Sequence, residues 1–69
     1  MENVSAQNAK QAIDSLLIIL KTAKQDTGRI NILNELSYNY IIYGNYIRAK
    51  LYADSALVLA DKSNFKKGN

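Results

Sequence analysis

The sequence predicts an all-α fold of three helices in antiparallel hairpins, of the helical-repeat type. Three observations predict it. Apolar residues recur at helical spacing through three separate stretches. There is no Pro, and the three Gly, at 28, 44 and 68, are spaced like punctuation between and after those stretches. The first stretch also reappears 40 residues later, Ala9-Lys10 as Ala49-Lys50 and Asp14-Ser15 as Asp54-Ser55.

The first helix is expected from about Ser5 to Lys24. Ala9, Ala12, Ile13, Leu16, Leu17, Ile19, Leu20 and Ala23 fall on one face at 100° per residue. Lys10, Gln11, Asp14, Ser15, Lys21 and Thr22 fall on the other, and Ile18 is the one large apolar residue among them. Gln25-Asp26-Thr27-Gly28 breaks the pattern, with Asp26 or Thr27 placed to cap the next helix. The second helix is expected from about Gly28 to Tyr43. Its apolar face, Ile30, Ile32, Leu33, Leu36, Ser37, Tyr40, Ile41 and Tyr43, covers about half the circumference, which predicts two neighbours.

Gly44 ends that helix, because Gly takes the left-handed conformation without steric cost. Asn45 is placed to cap the third helix, expected from about Tyr46 to Ser63. Its apolar face is Tyr46, Ala49, Tyr52, Ala53, Ala56, Leu57, Leu59 and Ala60. The small residues Ala49, Ala53 and Ala56 predict close approach of a neighbouring backbone. Tyr40, Tyr46 and Tyr52 are expected to be partly buried, with hydroxyls at the edge. Residues 64–69 look like the start of a further turn.

At the 40-residue offset Leu17 also matches Leu57, Ile18-Ile19 faces Val58-Leu59, and Gly28 matches Gly68. Helices one and three are thus copies of one unit, and a fixed period of this size marks a helical solenoid. The residues 28–63 resemble one tetratricopeptide repeat. Leu33, Leu36, Ser37 and Tyr40 follow the family's bulky, Leu, small, Tyr pattern. Gly44-Asn45-Tyr46 is similar to its Gly-Asp-Tyr turn, and Ala49 and Ala56 fill its small positions. Two positions depart: Ala53 where the family often has an aromatic residue, and Asp61 where it often has Pro. The missing Pro suits the longer variant with a period near 40 residues. The segment 5–24 then looks like the second helix of a preceding, incomplete repeat. Leu33-Asn34-Glu35-Leu36-Ser37 after Asp26-Thr27 also resembles repeat arrays of bacterial sensor kinases and transcription regulators, especially from Bacteroidetes. The resemblance implies antiparallel hairpins in a right-handed solenoid that serves as a protein–protein scaffold.

Composition bounds the function. With 69 residues there is room for one domain, and such a chain buries only about 60% of its unfolded surface. Cys and His are both absent, which removes disulfides, the usual zinc ligand sets and Ser–His or Cys–His catalysis. The isolated Gly make no phosphate-cradling loop. Asp14 and Asp54 occupy equivalent outer positions and read as solvated surface rather than a carboxylate pair. No catalytic residue, cofactor site or metal site is assigned, and the chain is read as no enzyme. The net charge of +3 is mild and scattered, with a small cluster at Lys62, Lys66 and Lys67. That predicts no nucleic-acid partner, a basic regulatory or nucleic-acid adaptor being the alternative reading. The longest apolar run, Leu16 to Leu20, is far short of a membrane span, and the first ten residues show no signal-peptide pattern. A soluble chain is expected, its compartment left open between bacterial cytoplasm and periplasm.

The positive expectation is protein binding. Asn31, Asn34, Glu35, Tyr38 and Ile42 lie opposite the core face of helix two. In the resembled family the first helix of each repeat lines the peptide-gripping groove, and Asn31, Asn34, Tyr38 and Ile42 fall on those positions. Amides can grip a peptide backbone, and Tyr offers rigid contact area at low entropic cost. The bland alternative is packing on a further helix of a longer array. A second expected surface, for self-association, is the strip Ile47, Leu51 and Val58 with the equivalent Ile18. The partner is read as a protein or peptide segment, with the chain either homo-oligomeric or continued by a longer array.

Overall fold

The computed structural model describes residues 4–68, as three helices and no strands among them: α1 (Val4–Thr22), α2 (Asp26–Tyr43) and α3 (Tyr46–Gly68). The all-α expectation holds. α1 stops two residues before the expected Lys24. Its end is tied by Arg29, whose guanidinium donates to the Ala23 carbonyl at 3.2 Å, and by the Thr22 hydroxyl, which donates to the Ile19 carbonyl at 3.0 Å. The Arg29 bond supplies a donor to a carbonyl just past the helix end, and the Ile19 carbonyl also accepts from Ala23 N at 2.9 Å.

α2 begins two residues earlier than expected, and its cap differs. Gln25 takes the extended cap conformation (φ −88°, ψ 139°) with no side-chain cap bond, and its carbonyl accepts from Arg29 N at 3.0 Å. Asp26 and Thr27 lie inside the first turn instead. There the Asp26 carboxylate is favoured by the positive end of the helix dipole without occupying the cap position. The other end follows the sequence. Gly44 is left-handed (φ 105°); its N–H meets the carbonyls of Ile41 and Tyr40, and Asn45 N–H returns to Tyr40 at 2.9 Å. That is the Schellman pattern. Asn45 Oδ1 then caps α3 by accepting from Arg48 N at 3.1 Å. α3 continues past the expected Ser63 to Gly68, so the backbone at 64–68 is helix rather than the start of a turn. The side chains of residues 4–5 and 63–68, Phe65, Lys66 and Lys67 among them, and the ends 1–3 and 69 lie outside the described residues.

α2 runs between the other two helices. α1 packs on it and α3 packs on it, and α1 and α3 do not come within backbone contact of each other among the described residues. The wide apolar face of α2 predicted these two neighbours. The molecule is accordingly elongated, 52 × 22 × 13 Å across its Cα atoms, with α2 the shared neighbour of the two outer helices. Its core centres on Leu36, which is fully buried, with Ile13 from α1, Tyr40 from α2 and Ala49 from α3. Leu16, Leu17, Leu20, Ile32 and Tyr52 pack around these. The Tyr40 and Tyr52 rings stack at 5.4 Å and 4°. The Ser37 hydroxyl donates to the Ala49 carbonyl at 2.8 Å, which explains a polar residue on the core face: it joins the two backbones where Ala49 lets them approach.

Several apolar positions are more open than the sequence predicts. Tyr46 (67% exposed), Ala53 and Leu57 on α3, Ile19 on α1, and Ile41 and Tyr43 on α2 are all exposed. Tyr46 is thus not one of the partly buried tyrosines, although Tyr40 and Tyr52 are. The cause is the lack of a second neighbour for the outer helices among the described residues. Each outer helix has one neighbour, so only a narrow strip of it is covered: Ala9 and Ile13 on α1, Ala49 and Ala56 on α3. The equivalent pairs Lys10–Asp14 (3.6 Å) and Lys50–Asp54 (3.2 Å) repeat the 40-residue offset on the surface. As i, i+4 pairs with exposed side chains they add little stability.

Candidate functional site

The residues expected to bind a partner sit on α2. Asn31, Asn34 and Tyr38 are exposed, Tyr38 at 64%, on the side of the helix roughly opposite Leu36. Ile42 is half-buried, about 120° around the helix from Leu36. Glu35 adjoins this face, its carbonyl accepting from Asn39 Nδ2 at 2.8 Å. The face therefore offers two amides and one Tyr to solvent on a single helix.

The four residues expected to self-associate are all exposed: Ile18, Ile47, Leu51 and Val58. The structure does not gather them into one patch. Ile18 is on α1, on the side away from the Ile13 contact. Ile47 borders a depression at the α2–α3 turn with Tyr43, Gly44, Asn45 and Tyr46. Leu51 and Val58 line a separate cleft to which all three helices contribute.

That cleft lies on the side of α2 away from Tyr38, between the C-terminal end of α1 and the middle and C-terminal half of α3. Leu20 forms one edge; Arg29 and Leu33 form the floor; Leu51, Tyr52, Val58 and Leu59 form the far wall. Asp54, Ser55 and Lys62 add its polar atoms, and its volume is about 570 Å³. Arg29 is held in place by its bond to the Ala23 carbonyl, and Asp54 is in reach of Lys50. Tyr40 lies nearby, stacked on Tyr52. Burial raises its hydroxyl pKa above 10.0, and the adjacent Tyr52 adds to the effect.

Chemically the cleft supplies apolar area bounded by charges of both signs. No group of His, Cys, Asp or Glu able to hold a metal ion occurs among the described residues. No described helix is long and apolar enough to cross a membrane. The sequence does not single out Leu20, Arg29, Leu33 and Lys62 as a surface. Leu20 and Leu33 carry the same apolar signal as core positions. Only the separation of α1 from α3 leaves them beside an opening. Comparison of the chain with family models, curated proteins and solved structures finds no match.

Proposed function

We propose that the chain is a non-catalytic protein–protein interaction module, a scaffold unit of a tetratricopeptide-type helical array that self-associates when isolated. One observation carries this reading. Among the described residues each outer helix has backbone contact with α2 alone, whereas a stable domain normally closes its apolar faces with a second layer. Among the described residues, seven apolar side chains are buried and ten large ones are exposed. The accessible surface is 5206 Å². A compact monomer of this mass has about 4,300 Å². The left-handed Gly44 turn, the small residues between α2 and α3, and the 40-residue repeat of α1 in α3 support the array reading. In such an array Asn31, Asn34 and Tyr38 hold a protein or peptide segment. The signalling context rests on the resemblance of the α2 sequence alone.

Sedimentation over a concentration series, read beside helical circular dichroism, tests the proposal. Association that rises together with helicity is the expected result. A fully helical monomer at low micromolar concentration overturns it, since three helices would then suffice without a second layer.

A further inference from the structure

We infer that the second layer is another copy of this chain, docked cleft to cleft across a two-fold axis that passes beside Val58. The inference rests on the self-association reading above and specifies its surface. A two-fold interface must be self-complementary, because each residue i that meets j is matched by j meeting i. The cleft has that property. Its wall carries Leu51 and Val58, exposed at 54% and 62%, with one carboxylate, Asp54, and one ammonium, Lys62, on the same helix. Asp54 and Lys62 are each four residues from Val58. If two α3 helices run antiparallel with Val58 opposite its own copy, Asp54 of each chain faces Lys62 of the other.

The same superposition closes apolar area. The two clefts face each other, so the half-buried Leu20 and the exposed Leu51 and Val58 of each chain are covered by its mate, while Leu33 is already buried within one copy. The opposite face suits this role less well. Asn31, Asn34 and Tyr38 protrude from one helix, and that face pairs Glu35 with no basic residue of α2 on the same side.

The chain has no Cys, so a single introduced thiol reports on its own neighbourhood. The test compares Val58→Cys, Tyr38→Cys and Ile18→Cys in the full chain under mild oxidation, with sedimentation of each reduced protein. The three positions are about equally exposed in one copy, at 62%, 64% and 65%. Val58→Cys is expected to form a disulfide-linked dimer at least about tenfold faster than the other two. Lys62→Glu is expected to weaken the dimer about tenfold, and adding Asp54→Lys to restore it, because the double change reverses both members of each pair. Faster cross-linking by Tyr38→Cys or Ile18→Cys, or one rate for all three variants, overturns this interface while leaving self-association standing. Monomers for every reduced variant and the parent overturn both.

Discussion

Ala49 and Ala56 are buried at 4% and 3%, while Ala53, between them in sequence, is exposed. The three therefore respond differently to the same change. Ala49→Leu or Ala56→Leu forces extra methylene groups into the α2–α3 contact and should cost about 1–3 kcal/mol. Ala53→Leu should stay within about 0.5 kcal/mol of the parent, as exposed substitutions do. Thermal melts of the three variants check this. An equal loss for all three would mean that α3 is rotated from the orientation described. Tyr40 gives a residue-scale prediction in pH. Its pKa is raised in the fold, so the neutral ring is the form the folded state holds. The unfolded chain binds fewer protons at this site once pH exceeds 10.0, and stability must fall as pH rises beyond that value. Below it the contribution is fully present. Denaturant melts from about pH 8 to about pH 11 should show a steeper alkaline loss in the parent than in Tyr40→Phe. Parallel curves would remove Tyr40 as the cause.

At the scale of an element, α2 carries the fold. It alone touches both neighbours, and Ser37 binds the Ala49 carbonyl across one of its interfaces. Ser37→Ala leaves that carbonyl without this donor and should cost about 1 kcal/mol, measured by urea melts. A loss near zero would mean that water replaces the hydroxyl. Tyr38→Ala, on the exposed side, should leave the melt unchanged within about 0.5 kcal/mol. If Tyr38 grips a partner, the same substitution weakens binding of that partner. The helices and the α2–α3 turn are legible in the sequence because Gly44 and Asn45 act on backbone within five residues of themselves. The start of α2 is less so: Asp26 and Thr27 are good caps by type, yet the chain uses backbone at Gln25 and turns the helix two residues earlier. Burial on α3 escapes the sequence for a different reason. Periodicity gives the side of a helix that can be covered, and Tyr46 and Leu57 belong to that side. Whether a second neighbour arrives to cover them is a property of the assembly. The cleft is hidden likewise, because it depends on the spacing of two helices whose backbones do not meet among the described residues.

The whole molecule is an open set of three helices in which only α2 has two neighbours among the described residues. If association supplies the missing layer, stability must depend on concentration. A ligand at a hundredfold excess over its dissociation constant adds about 2.7 kcal/mol, and a domain of this size gains about 4–8 °C per kcal/mol. Calorimetric midpoints should therefore rise with chain concentration, and Val58→Asp should flatten that rise. A midpoint that does not move between dilute and concentrated parent chain excludes a stabilising second copy.

The absence of backbone contact between α1 and α3 among the described residues also orders how the molecule comes apart. α1 can leave α2 without disturbing the Ser37–Ala49 bond, and α3 can leave while α1 keeps its own seat on α2. Two partial openings are thus available, each releasing one outer helix, and α2 loses its shelter only when both have occurred. Amide hydrogens report such openings directly. In deuterated buffer the amides around Leu36 and Tyr40 should exchange last, after those of both flanking helices. Because Ile13 shares one buried cluster with Leu36, Tyr40 and Ala49, Ile13→Ala should accelerate exchange most in α1 and to a smaller extent in α3.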